Sequence, residues 1–375
     1  MKLAIRLLGS VSALYLLGGA AQAQPPTHAV EYCLTHVWTR ESPEPEELDL
    51  FFTSMNDKGE LVGYVRFGED VAPRRAFLWR KGQFIDLGAR IGHAETRASG
   101  INDHGDVVGS YSDDGHEFHA FMLRHGRVID IQGVPGEGST LAFDINNKRQ
   151  VIVGRTPRPE LPNYANASFY LWKRGSATQL EPLEATDGAF PNDLNDRGIT
   201  AGISVGLEST AFRPVLWQDG TVMPLGLPEG AESADALAIN NRGQVAVNVV
   251  TRVEERFFIR PYIWDEGEFI ELQLMGDAPH GASLTGINDR GVAIGSTSTL
   301  RGGFVEEIPT VWRNGQAADL NTLICSGDPL QPYVRLGPTQ QSAGALLINN
   351  RGQILATGYD SRSPWGSYFL LTPKR

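Results

Sequence analysis

A five-residue pattern, an aliphatic residue followed by Asn, Asp or Asn, any residue and Gly, recurs along this chain. It reads Met55-Asn-Asp-Lys-Gly59, Ile101-Asn-Asp-His-Gly105, Ile145-Asn-Asn-Lys-Arg149, Leu194-Asn-Asp-Arg-Gly198, Ile239-Asn-Asn-Arg-Gly243, Ile287-Asn-Asp-Arg-Gly291 and Ile348-Asn-Asn-Arg-Gly352. The first asparagines stand at 56, 102, 146, 195, 240, 288 and 349, with spacings of 46, 44, 49, 45, 48 and 61. A period of roughly 40–50 residues is that of a four-stranded propeller blade. A second pattern follows the first six copies: Ala76-Phe-Leu-Trp79, Ala120-Phe-Met-Leu123, Phe169-Tyr-Leu-Trp172, Pro214-Val-Leu-Trp217, Pro261-Tyr-Ile-Trp264 and Pro309-Thr-Val-Trp312. Length alone would divide 375 residues into two or three domains, but the repeat overrides that prior.

Each unit reads as four short strands rich in β-branched and aromatic residues. In the second unit these are Ala98 to Ile101, Asp106 to Tyr111, Phe118 to Leu123 and Val128 to Ile131. Turn chemistry explains the two tight connections. In Asn-Asp-x-Gly the side-chain oxygen bonds nearby amides and glycine supplies the positive φ of a hairpin. Pairs such as Lys81-Gly82 and Asn314-Gly315 do the same between third and fourth strands. The last unit has only three strands, ending at Tyr368-Phe-Leu-Leu371, while a strand-like piece, Val30 to Trp38, precedes the first unit. Pairing the two closes the ring and removes exposed edges. The expected fold is all-β, a single seven-bladed β-propeller over 24–375. Its blades span approximately 48–92, 93–137, 138–185, 186–230, 231–276, 277–323, and 340–373 plus 29–40.

Lys2 and Arg6, an apolar run from Leu7 to Ala20 and Ala21-Gln-Ala23 have the form of a cleavable signal peptide over 1–23. A periplasmic or secreted product is expected, with no integral membrane association. Loss of that segment's two positive charges takes the net charge from −11 to −13, spread along the chain. Nucleic acid is therefore not an expected partner. The two cysteines, Cys33 and Cys325, would enter an oxidising compartment and are expected to form one disulfide.

The pattern Ile-Asn-Asp-x-Gly-x-Val-Val-Gly together with His119-Ala120-Phe121 resembles the bacterial HAF-repeat family of exported proteins, and the likeness covers all seven units. Other units read Arg75-Ala76-Phe77 or Thr210-Ala211-Phe212. The resemblance implies an extracytoplasmic propeller-like repeat protein and brings no established enzymatic activity. The Pro-Glu-Pro sorting tail of some similar proteins is not found here.

In a four-stranded meander the first-to-second and third-to-fourth turns share one face, which is short and uniform here. Length variation concentrates on the other face, in the second-to-third loops and in an insertion, residues 321–335, before the seventh motif. Variable loops on a rigid scaffold are the expected place for binding. The candidates there are Arg74, His116, Arg158, Tyr164, Arg252, Arg301, Arg362 and Trp365. Asp113, Asp114, His116 and His119 crowd one loop without zinc-motif spacing, so neither a metal nor a cofactor is expected. There is no Gly-x-Ser-x-Gly, and the recurrent tryptophans read as blade-to-blade packing. The chain is thus expected to be a non-enzymatic module binding an extracytoplasmic glycan, peptide or protein. The alternative is a secreted hydrolase acting on a polysaccharide or similar substrate with channel-facing carboxylates. Inward-facing acids with raised pKa values would favour the hydrolase.

Overall fold

The computed structural model describes residues 30–39, 48–67, 73–156, 167–184, 186–206, 211–253, 256–301, 304–339 and 344–374. The expected signal peptide over 1–23 lies outside them, as do Arg158, Tyr164 and the side chain of Arg301.

Seven antiparallel sheets follow one another along the chain, six of them meanders whose strands pair in sequence order. The protein is a seven-bladed β-propeller. In blade two the strands are Glu95–Ile101, Val107–Ser112, His119–Arg124 and Arg127–Asp130, from the centre outward. The inner strand starts three residues before the expected Ala98, because Glu95, Thr96 and Arg97 carry polar side chains that hide its period. The third-to-fourth turns place both residues at positive φ, for instance Lys81 at 50° with Gly82 at 81°. That is the mirror-image turn whose twist suits a tight hairpin.

The seventh blade closes the ring as expected. Its outer strand is the N-terminal Tyr32–Thr39, running antiparallel to Gly366–Pro373, with Tyr32 opposite Pro373 and Thr39 opposite Ser367. Its inner strand comes in two pieces, Val334–Leu336 and Ala345–Ile348, which pair with different parts of Ile354–Asp360. The insertion thus joins this sheet from residue 334. Its preceding turn also grips the N-terminal strand: Ile324 bridges Tyr32, the Cys325 amide donates to the Tyr32 carbonyl, and the Leu34 amide donates to Asp328.

The core is divided among the blade interfaces. One cluster joins Val62 and Leu78 of blade one to Ala98, Val107 and Phe121 of blade two. Another joins Leu61 and Trp79 to Leu355, Tyr368 and Leu370 across the closure. The indole N–H groups of Trp172, Trp217 and Trp312 donate to the carbonyls of Gln132, Glu181 and Gln273 in the preceding blades. These three tryptophans therefore fasten blade to blade. No helix among the described residues is long and apolar enough to cross a membrane.

Candidate functional site

Two features stand out, one at each end of the propeller. At the uniform end the seven Asn-Asp/Asn turns meet around the channel mouth, which encloses a cavity of about 200 Å³. The Nδ2 of Asn56 donates to the Asn102 carbonyl, and the same bond repeats from Asn102 to Asn146, Asn195, Asn240, Asn288, Asn349 and back to Asn56. The Oδ1 of each also accepts amides two and four residues on, as Asn349 does from Arg351 and Gln353. A second ring lies beside the first. Each second-position amide donates to Oδ1 of the next second-position side chain, through Asp57, Asp103, Asn147, Asp196, Asn241, Asp289, Asn350 and back.

Asparagines alternate with aspartates in this second ring because Nδ2 can bridge two carboxylates. Asn147 donates to Asp103 and Asp196, and Asn241 to Asp196 and Asp289. Seven is odd, so alternation fails once, and Asp57 adjoins Asp103. The Asp57 carboxyl is pushed above its ordinary range, mainly by burial, with the charges of Asp103 and Asp289 adding to it against the hydrogen bonds from Asn350.

Beneath the rings, every inner strand carries a bulge just before its motif, as between Ala142 and Asp144 or Pro191 and Asp193. The residue after the bulge is Ser54, Gly100, Asp144, Asp193, Ala238, Gly286 or Leu347. The two acids in this series meet. Asp144 is pushed up to about 8, first by burial and then by the charge of Asp193, to which it is hydrogen-bonded. Burial raises Asp193 as well. At neutral pH Asp144 thus keeps its proton and shares it with Asp193. Asp193 also accepts the bulge amides of Leu194 and Ile239, and Asp144 that of Ile145. Single-unit reading missed this pair; aligning the seven post-bulge positions shows two acids among mostly small residues.

The opposite, loop-rich end holds the residues expected to bind. Arg74 pairs with Glu95 of the next blade at 3.1 Å, and Arg252 with Glu232 at 3.5 Å while lying over Phe257. His116 is exposed on a loop organised by Asp114, which accepts amides from His116 and Glu117 and is held down at about 2 by those bonds. Arg362 donates to Asp360, whose carboxyl it lowers to about 2, and lies 4.4 Å over Tyr333 of the insertion. Trp365 follows in the same loop, half-buried.

Next to this cluster, blades six and seven enclose a groove of about 660 Å³. One wall is the third strand of blade six, with Val305, Glu306, Glu307 and Ile308; the other is the end of the insertion and the residues just after it, Val334 to Pro338, with Tyr359. The Arg335 guanidinium reaches across to Glu306 at 2.7 Å. Cys33 and Cys325 are thiols with sulfurs 3.1 Å apart, and Asp328 lies close enough to form a three-residue cluster with them.

No family model and no curated protein sequence matches the chain. Among solved structures it is similar to the Dos1 propeller, with a TM-score of 0.43, 11% identity and coverage of 90% of this chain and 86% of that one. It is similar to a gluconolactonase from Xanthomonas campestris at 0.37 and 11%, covering 94% and 99%. It is also similar to a puromycin-hydrolyzing peptidase of Mycobacterium tuberculosis at 0.38 and 11%, covering 86% of this chain but spanning only 60% of the peptidase. With every TM-score below 0.5, these likenesses say nothing about the site of this propeller.

Proposed function

We propose that this protein is an exported, non-enzymatic binding module of the HAF-repeat kind, which takes a peptide or protein ligand in the groove between blades six and seven. The groove itself carries the reading. It has the volume of an ordinary ligand site, mixed apolar and charged walls, and it lies where the repeat is most strongly broken. Its aliphatic lining, Val305, Ile308, Val334 and Leu336, suits peptide side chains better than sugar hydroxyls. Export rests on the leader-like segment 1–23, and the facing thiols of Cys33 and Cys325 suit a disulfide formed after export.

The test is a combined peptide and glycan array probed with native protein and with Tyr359→Ala and Arg362→Ala, each verified as folded. A peptide or protein ligand lost in both variants supports the reading. A ligand held equally by all three proteins, or none at all, overturns it. Mass spectrometry of exported protein beginning at Gln24 would support the leader.

The raised acids of the channel favour a second reading, a hydrolase. Two geometric facts weigh against it. Glycosidase carboxyls stand about 5 Å or more apart to admit a sugar carbon or water, whereas Asp144 and Asp193 are hydrogen-bonded to each other. Both are also engaged by bulge amides. Turnover of a polysaccharide panel that Asp144→Asn abolishes would reinstate the hydrolase.

A further inference from the structure

In blades one to six the third strand runs past a short fourth strand, so that the fourth strand pairs with only part of its outer edge. The stretch beyond it is longest in blades five and six, where the third strands are Arg256–Asp265 and Phe304–Arg313, but the fourth strands reach back only to Tyr262 and Thr310. Blade five covers its own edge at Ile259. The connection to blade six returns alongside, so that Ile259 makes a parallel bridge with Gly281 and its amide donates to the His280 carbonyl. Gly281 is required there, since a Cβ at this position would lie 1.9 Å from the Ile259 carbonyl oxygen.

Among the described residues nothing covers the corresponding edge of blade six. The following connection runs first to the N-terminal strand, where Ile324 bridges Tyr32, and returns as Val334–Leu336 paired within blade seven. The groove is the space thus left open. By the register shared with blade five, Pro309 corresponds to Pro261 and Val305 and Glu307 to Phe257 and Ile259, so their main chains face the groove. Among the described residues no strand lies beside Phe304 to Glu307 on that side. Phe304 is 77% exposed. Unpaired edges are the sites at which extended peptides add as strands.

We infer that the open edge of blade six accepts an extended, basic peptide as an added strand, in the place that His280 and Gly281 fill beside Ile259 on blade five. The charge follows from the lining, where among the described residues the acids Glu306, Glu307 and Asp319 outnumber the basic Arg335. The Arg335–Glu306 pair is well exposed, so an incoming lysine or arginine readily replaces it. This inference rests on the reading of the groove as the binding site.

The test uses fluorescein-labelled Ac-(Lys-Val)3-Lys-amide, its Glu-Val counterpart, and versions of the basic peptide methylated at alternate backbone nitrogens in each of the two phases. Anisotropy should show binding of the basic peptide alone. Methylation in the phase that faces the edge, and the Val305→Pro variant, should each weaken it about tenfold or more. Arg335→Ala should tighten it. No binding of the basic peptide to native protein, or equal binding of both methylated forms, overturns strand addition. The methylation arm needs no variant to fold. An array ligand lost in Tyr359→Ala but indifferent to methylation would sink strand addition and leave the binding groove standing; an array ligand indifferent to Tyr359→Ala would sink the groove itself.

Discussion

The Nδ2 of Asn349 donates to the carbonyl oxygen of Asn56 at 3.0 Å, joining residues 293 positions apart and completing a hydrogen-bonded circuit through all seven blades. Asn349→Ala leaves the Asn56 carbonyl with the Gly59 amide alone and strands the amides of Arg351 and Gln353, which only the Asn349 side chain accepts. A buried orphan costs about 1–3 kcal/mol, so a loss of roughly 3 kcal/mol is expected in urea unfolding. A loss below about 1 kcal/mol would mean that water replaces the amide and that the circuit is dispensable.

The proton on Asp144 makes stability depend on pH. Folded protein holds it up to about pH 8, whereas an ordinary aspartate carboxyl gives up its proton near 3.8. Between these values the folded state binds more protons than the unfolded one, so this group's contribution falls as pH rises from about 4 to about 8. Asp144→Asn imitates the protonated acid at every pH. Its melting temperature should exceed that of native protein at pH 8, with the gap shrinking towards pH 5. An equal gap at both values would show that Asp144 does not hold its proton.

Arg149 occupies the position that is glycine in the other six motifs, with φ at 60°. Its Nε donates to Asp106 at 2.7 Å, and that carboxylate is 2% exposed. Arg149→Ala keeps the strained backbone and removes the partner; Arg149→Gly removes the partner but relaxes the backbone. Both should destabilise, alanine by about 1 kcal/mol more than glycine. Thermal melts of the two variants would check the order, and a glycine variant more stable than native protein would show that strain outweighs the ion pair.

With Sγ atoms 3.1 Å apart, Cys33 and Cys325 are placed to join the closing strand to the insertion. Native protein purified from an oxidising compartment should lack free thiols and lose about 3–5 kcal/mol on reduction, the value expected for so long a loop. The double variant Cys33→Ser/Cys325→Ser should be insensitive to reductant. Two titratable thiols in the unfolded exported protein would contradict the bond.

The repeat determined the blade count, the four-strand unit and the closure by Val30 to Trp38, because these depend on local turn chemistry and on counting strands. The side of the loop-rich face was legible for the same reason, and Arg362 beside the groove lay among the residues it marked. Other features belong to no single unit. The two asparagine circuits, the Asp57–Asp103 contact forced by an odd number of blades, and the shared proton of Asp144 and Asp193 arise only when residues some 45 positions apart are brought around one axis. The open edge of blade six likewise follows from where the insertion goes. Its composition does not show that, among the described residues, it bridges the N-terminal strand and pairs within blade seven rather than beside the third strand of blade six; only the folded chain places it there.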